Sequence, residues 1–253
     1  MVYQQFASLY DQLMEHAPYD RWVDLTREVF QRCAEPVHQV LDLGCGTGEI
    51  TTRLAKLGYD MIGVDYSSEM LALAEQKALS QQLSIQWIKQ DIRELKGFSQ
   101  FDAAISYCDV INYITELKDV ERVFQRVAQC LKPQGLFIFD VHACEYVSNK
   151  LIGHTFADID EEVVYIWQCF AGDEPYEMYH DMTFFTKAAD GKYLRFSEHH
   201  HQRTYPVKIY VNLLEKAGFQ NIRISADFNV KNHHIHEDSE RIFFFAEKGS
   251  RTS

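Results

Sequence analysis

The chain has 253 residues, 46% of them hydrophobic and 25% charged, with only 12 Gly and 5 Pro. That balance excludes a low-complexity or largely disordered polymer and leaves room for one large α/β domain with a modest insertion. The formal net charge is −12, and no stripe of Lys and Arg relieves it; such a surface repels phosphate backbones and argues against nucleic acid as a partner.

The six cysteines, Cys33, Cys45, Cys108, Cys130, Cys144 and Cys169, are scattered without C-x-x-C spacing. The first twenty residues carry Gln, Asp and Glu where a signal peptide needs an unbroken apolar run, and no run elsewhere is long enough to cross a bilayer. A reducing, cytoplasmic setting without membrane association is the expectation, with the thiols as core fillers.

Trp22, Val23, Leu25, Val29 and Phe30 recur at helical spacing and predict an amphipathic helix over 18–34. An apolar run at 37–43 then reads as a strand and ends in Gly44-Cys45-Gly46-Thr47-Gly48. Ile50, Leu54, Ala55 and Leu57 follow at helical spacing until Gly58 stops them. Residues 60–64 read as a strand ending at Asp65, after which Ser67 or Ser68 caps a helix running to about Leu79. Strands at 85–88 and 101–106 come next, the first leading to Asp91. A helix over 120–131 is closed by Lys132-Pro133-Gln134-Gly135, and a strand at 136–139 ends in Asp140. Strands alternating with helices in this way predict an α/β fold with a doubly wound, mostly parallel sheet covered on both faces.

From 143 to 206 the pattern changes. Aromatic and β-branched runs at 163–170, 177–187 and 192–203 are separated by Gly172-Asp173 and Asp190-Gly191, which predicts a small inserted antiparallel β-sheet. Helical periodicity returns over 207–217, and two strands follow at 221–226 and 241–247. The division expected is an α/β domain made of 1–142 and 207–253, with the inserted subdomain at 143–206.

Three glycines in five residues let a ligand approach the backbone where a Cβ would clash, and the helix that follows presents unpaired N–H groups. A carboxylate at the tip of the second strand, Asp65, can accept from both hydroxyls of a ribose. Asp91 at the end of the third can accept from an adenine amino group beside the N–H of Ile92. Ligands in such sheets sit beyond the carboxyl ends of the strands, where all three elements fall.

In this order, VLDLGCGTGEIT, GVDYS and QDI resemble the successive cofactor motifs of the class I S-adenosylmethionine (SAM)-dependent methyltransferases. The resemblance covers roughly residues 3–136 and implies a Rossmann-like seven-stranded sheet whose last strand is antiparallel. It implies that Asp42 and the turn Gly44, Cys45, Gly46 and Gly48 hold the amino-acid end of SAM. It further implies that Asp65, with Tyr66 beside it, takes the ribose, and that Asp91 with Ile92 takes the adenine. Tyr107 and Asp109 after the fourth strand are further cofactor candidates. The N-terminal segment resembles the lid of many relatives, with Tyr3, Phe6 and Tyr10 as its contacts. A nicotinamide cofactor fits less well, because its fingerprint G-x-G-x-x-G needs a third glycine at a spacing this chain lacks.

Methyl transfer from a sulfonium is a displacement, so the protein contributes mainly collinear approach and exclusion of water, and a base only where the nucleophile carries a proton. His142, Tyr107 and Tyr10 are the catalytic candidates. Asn112, Tyr113, His142, Arg203 and Tyr205 are candidates for the acceptor. The insertion is expected to roof that pocket, as in the small-molecule N-methyltransferases it resembles in layout. In His199-His200-His201, the first and third imidazoles would share a strand face; further ligands are not evident, and no metal is expected. The leading expectation is a methyltransferase acting on N or O of a small-molecule acceptor, as monomer or homodimer. An RNA or protein methyltransferase and a non-catalytic SAM-binding protein are the alternatives.

Overall fold

The computed structural model describes residues 17–159, 163–188, 190–230 and 234–250. Helix α1 (Tyr19–Phe30) leads into strand β1 (Gln39–Leu43), helix α2 (Glu49–Lys56) and strand β2 (Asp60–Asp65). Helix α3 (Ser68–Ser80), capped by the Ser67 hydroxyl on the Met70 N–H, is followed by β3 (Gln86–Lys89) and β4 (Phe101–Ser106). Helix α4 (Leu117–Cys130) passes directly into the long strand β5 (Leu131–His142). After the insertion come helix α5 (Val207–Lys216) and strands β10 (Phe219–Ala226) and β11 (Arg241–Lys248).

The main sheet has seven strands in the order β10-β11-β5-β4-β1-β2-β3. β1 to β5 run parallel, and β11 runs antiparallel to β5 and β10. The doubly wound, mostly parallel sheet expected from the alternation is the one observed. Side chains alternate across it, so β5 sends Leu136 and Ile138 toward α1 and α2, and Phe137 and Phe139 toward α4 and α5. On the second face Phe139 stacks on Phe244 at 4.7 Å and on Phe137 at 4.9 Å, and the buried Tyr210 of α5 packs against both Phe139 and Phe244. These rings anchor the end of β5 that carries His142.

The insertion holds a separate four-stranded antiparallel sheet, β6 (Thr155–Ile159), β7 (Val163–Ala171), β8 (Glu177–Lys187) and β9 (Tyr193–Arg203), in that order. Three differences from the sequence reading have physical causes. The strand β6 is short and largely exposed, so it lacks the alternation that marks a strand. Residues 144–151 form a helical turn at Cys144–Tyr146 that widens to a π-turn over Val147–Leu151, burying Val147 and Leu151 against Cys169 and Met178. And Lys132-Pro133-Gln134-Gly135 is an irregularity inside β5: Phe101 pairs with Leu131, Ala103 with Leu136, and Gln134 takes a φ of 64°. Among the described residues no helix is long and apolar enough to cross a membrane.

Gly63 of β2 shows why the sheet tolerates no side chain beneath its third strand. A Cβ there would lie 2.4 Å from Cε3 of Trp87 and 2.9 Å from Sγ of Cys45. Gly63→Ala is expected to lower stability by about 1–3 kcal/mol, as overpacking does, read from urea midpoints; an unchanged midpoint would mean that Trp87 swings aside freely.

Candidate active site

The turn after β1 is pinned by the N–H groups of Gly44 and Cys45, which donate to the Val64 carbonyl at 2.8 and 3.1 Å. Gly44, Gly46 and Gly48 all have positive φ. A Cβ on Gly44 would strike Val110 at 2.5 Å, whereas one on Gly46 would meet nothing within 4 Å. The middle glycine thus faces open space, a cradle that any side chain would begin to fill.

Asp65 stands at the rim of that cradle. Its Oδ2 accepts from the Gly46 N–H and its Oδ1 from the Ser67 N–H, both at 2.8 Å. Each carboxylate oxygen has two acceptor positions, so one on each is left for a vicinal diol. Burial raises its pKa. Beside it Tyr66 is 73% exposed. Asp42, at the end of β1, is buried and accepts from the Thr51 hydroxyl at 2.6 Å. Burial pushes its pKa up to about 7, with the negative charge of Asp65 adding to the shift against the Thr51 hydrogen bond. Cys45 lies between these acids, and burial, then their charges, hold it as a neutral thiol. The cradle therefore suits a cationic ligand.

Asp91 is less free than its position at the end of β3 suggests. The Arg93 side chain forks over it, Nε to both oxygens at 2.9 and 3.0 Å and Nη2 to Oδ2 at 2.5 Å, and the Arg93 N–H donates to Oδ1 at 2.9 Å. Those bonds lower its pKa. An incoming amino group must displace the fork, which for so exposed a pair costs little. Ile92, next in the chain, is buried in the α4-side core.

The acceptor-side candidates divide sharply. Tyr107 is buried on the α1 side of the sheet, its hydroxyl 2.8 Å from the Thr26 hydroxyl and its ring near Phe243. That is a core position, where burial keeps the phenol protonated. Asn112 is also fully buried, with both ends of its amide spent on backbone: Nδ2 donates to the Arg203 carbonyl at 2.9 Å, and Oδ1 accepts from the His142 N–H at 3.0 Å. It is a strut between the backbones at 142 and 203. Tyr205 donates its hydroxyl to the Thr115 carbonyl from a buried position. Arg203 turns to Glu174 at 3.0 Å and to the Pro175 carbonyl at 3.3 Å, with its guanidinium over the Tyr205 ring. These two fasten the root of the insertion. Tyr113 remains 46% exposed, its hydroxyl 3.1 Å from Nδ1 of His200 on β9. Tyr3, Phe6 and Tyr10 lie outside the described residues.

Asp109 and His142 do come together, at 3.6 Å between Oδ1 and Nε2. Cys108 and Asp109 both occupy the left-handed region, at φ 57° and 55°, so the chain leaves β4 through a strained corner. Arg241, the first residue of β11, spans Asp109 at 3.1 Å and Asp140 at 2.6 Å, and Trp22 Nε1 donates to Asp140 at 3.1 Å. Asp109 is held well below the usual carboxylate range: burial alone would raise it, but His142 and Arg241 outweigh burial. Asp140 goes the other way, because burial and the neighbouring Asp109 charge prevail over Arg241. The His142 backbone is clamped a second time by Thr204, whose hydroxyl donates to its carbonyl at 2.6 Å. Among the described residues Nδ1 of His142 has no hydrogen-bond partner although it is buried.

Sequence reasoning missed Arg241, Trp22, Gln202 and His180. Only the inward phase of β9 pointed to Gln202, and Arg241 stood unremarked at the start of a strand. The histidine triplet falls as its alternation requires: His199 and His201 share the outer face, each with its own carboxylate, Asp181 at 2.6 Å and Glu177 at 2.7 Å. Among the described residues no cluster of three or more His, Cys, Asp or Glu side chains could hold a metal ion.

A parallel sheet with a glycine cradle at its carboxyl edge and acids on the two neighbouring strand tips defines a nucleoside-type site. Comparison with known proteins gives the class. A family profile described as "Methyltransferase domain" matches residues 40–135. The Bacillus subtilis (strain 168) protein named "Putative methyltransferase YqeM" is 45% identical over 249 residues, covering 98% of both chains. The crystal structure of an S-adenosylmethionine-dependent methyltransferase from Clostridium acetobutylicum ATCC 824 superposes with a TM-score of 0.88 at 30% identity, over 99% of this chain and 100% of that one. The sugar N-methyltransferase KedS8 from Streptoalloteichus sp ATCC 53650 shares the fold, with a TM-score of 0.80 at 21% identity over 95% and 93% of the two chains. The chain belongs to the class I SAM-dependent methyltransferases, and SAM is its cofactor.

Asp42 makes the apo protein's stability pH-dependent. Its folded pKa of about 7 lies above the ordinary 3.8, so the folded state binds the extra proton. Stability on its account is therefore full below about pH 4 and is lost as pH rises through 7. Asp42→Asn cannot ionise: without SAM its Tm is expected to exceed the wild type's at pH 8, the gap closing toward pH 4. A variant no more stable than wild type at pH 8 would show that Asp42 carries no such strain.

Proposed function

We propose that this methyltransferase transfers the SAM methyl group to the nitrogen or oxygen of a small-molecule acceptor held between the strand tips and the inserted sheet. The observation that carries this reading is the direct tie between that sheet and the tips. Gln202 of β9 donates to Asp109 at 2.7 Å, and His200 of β9 meets Tyr113 at 3.1 Å. A roof fastened so close to β4 favours a small acceptor over an RNA or protein surface, and the net charge of −12 agrees. KedS8, with the same fold, is a sugar N-methyltransferase. On the inner face of the roof, Glu198 lies half-buried between Phe196 and His200 in strand phase, with burial raising its pKa. A carboxylate beside an aromatic ring there favours an amine among the possible acceptors.

In this reading Asp42 and the 44–48 turn bind the amino-acid end of SAM, Asp65 the ribose, and Asp91 with the Ile92 N–H the adenine. Bound SAM supplies a methyl carbon activated by its sulfonium. The chain's own part is to orient the acceptor, exclude water and take a proton. His142 takes the last task in this reading, with Asp109 facing Nε2 and Nδ1 without a hydrogen-bond partner among the described residues. The separation seen without ligand is typical of bonds that tighten in the reacting complex. Asp109, taken from sequence as a cofactor contact, acts here as the orienting carboxylate.

Two measurements test this. Arg93→Ala is expected to leave SAM binding intact and tighten it by up to about fivefold, since an exposed pair of ~0–1 kcal/mol no longer competes for Asp91; a large loss would mean that Arg93 itself holds the cofactor. Purified enzyme supplied with SAM and panels of small amines, phenols, RNA and protein extracts is expected to form S-adenosylhomocysteine with an amine or phenol and, with His142→Asn, to lose kcat more than SAM affinity. Turnover confined to RNA or protein would end the small-molecule reading.

A further inference from the structure

The inserted sheet reaches Asp109, which faces His142, through a chain of hydrogen bonds whose polarity leaves no choice. Trp167 on β7 donates Nε1–H to Nδ1 of His180 at 2.9 Å. An indole can only donate, so Nδ1 must accept and Nε2 must carry the hydrogen. Nε2 of His180 lies 3.0 Å from Oε1 of Gln202, which accepts and thereby fixes the amide. Nε2 of Gln202 then donates to Oδ2 of Asp109 at 2.7 Å. The far end imposes the same direction, because an ionised carboxylate can only accept. Burial pushes His180 down to about 4, so it stays neutral and keeps this tautomer at physiological pH. His180 and Gln202 are 5% and 3% exposed, which shields the relay from competing water.

We propose that Trp167, His180 and Gln202 are positioning residues for the His142 base. Their donation to Asp109 fixes the carboxylate so that its other oxygen is presented to Nε2 of His142. Asp109 is faced by Arg241 from β11, by Asp140 and His142 from β5, by Gln202 and His200 from β9, by His180 from β8, and by its neighbour Cys108. Arg241 is shared with Asp140 and cannot satisfy Asp109 alone. The donor from the roof takes the second oxygen. With Oδ2 so occupied, Oδ1 faces Nε2 of His142, and the unpartnered Nδ1 is the basic atom. The acceptor class follows: a nucleophile that must surrender a proton near neutral pH, an ammonium group or an acidic hydroxyl, rather than a thioether or a tertiary amine that needs no base.

This inference rests on the reading of His142 as base, and its test is independent of turnover. Long-range 1H–15N spectra of the whole protein report the tautomer and titration of each imidazole, with His142→Asn identifying the His142 signals. The wild type is expected to show His142 as the single Nε2–H tautomer when neutral. Gln202→Leu removes the donor that fixes the carboxylate and should let the Nδ1–H tautomer of His142 appear beside the Nε2–H one. Trp167→Phe, at the distant end of the relay, should do the same to a smaller extent. Met178→Leu, which alters packing beside Gln202 without touching the relay, should leave His142 unmoved. Should Gln202→Leu fail to fold, Trp167→Phe decides alone. His142 signals coincident with wild type in the relay variants, or moved equally by Met178→Leu, would overturn the proposal. SAM binding, followed separately by calorimetry, tests the functional reading.

Discussion

The site depends on one buried guanidinium. Arg241 draws Asp109 and Asp140 to it, and with them the ends of β4 and β5, while Trp22 of α1 packs its ring 5.3 Å from the guanidinium carbon and donates to Asp140. Arginine suits this place because its rigid planar fork can serve two carboxylates at once and does not deprotonate; a lysine would offer a single point of charge. Burying such groups is costly, and an ion triad of this kind is weak evidence of net stability. Its return is geometric. Two consecutive left-handed residues, Cys108 and Asp109, cost of order 1–3 kcal/mol each and persist only where the surroundings over-determine them. Here the Asp109 N–H donates to Asp140 at 3.2 Å, and its carboxylate is held from β11 and β9. The corner is thus fixed before any ligand arrives.

Cofactor and acceptor sides are built on different principles. At the glycine turn the chain offers backbone and short side chains, with Val110 and Trp87 closing in on Gly44 and Gly48 while Gly46 faces open space. The inserted sheet, by contrast, is wired to the strand tips through side chains. The first can be shared across many methyltransferases, whereas the second can vary without disturbing it. Asp42 is a strained group in the cradle, since burial raises its carboxylate pKa to about 7 and a nearby cation would relieve it.

The fold and the glycine turn with its flanking acids were legible in the sequence because both rest on local patterns. Strand–helix alternation, a glycine turn and acids at strand ends each occupy a few consecutive residues. What was illegible depends on partners far away in the chain. Asn112, Tyr107, Tyr205 and Arg203 sit where strand-tip residues often meet substrate, but nothing nearby announces that Asn112 answers to the backbone at 142 and 203, or Tyr107 to Thr26. Gln202 and Arg241 escaped for the same reason: their partners lie 93 and 132 residues away. Strand β6 escaped because only one of its five side chains is even partly covered, so hydrophobic alternation had nothing to record.

The two faces of the inserted sheet sharpen what its histidines do. Outward, His199 and Asp181 form an exposed pair that contributes little energy, while His201 sits on the largely covered Glu177. Inward, His180 and His200 are pushed toward neutrality by burial and carry hydrogen bonds whose direction matters. One residue type therefore plays two roles according to strand phase alone. Since His200 and Gln202 are two apart on β9, the strand that meets Tyr113 also holds Asp109. A displacement of that strand would therefore be felt both at Tyr113 and at the Asp109–His142 pair.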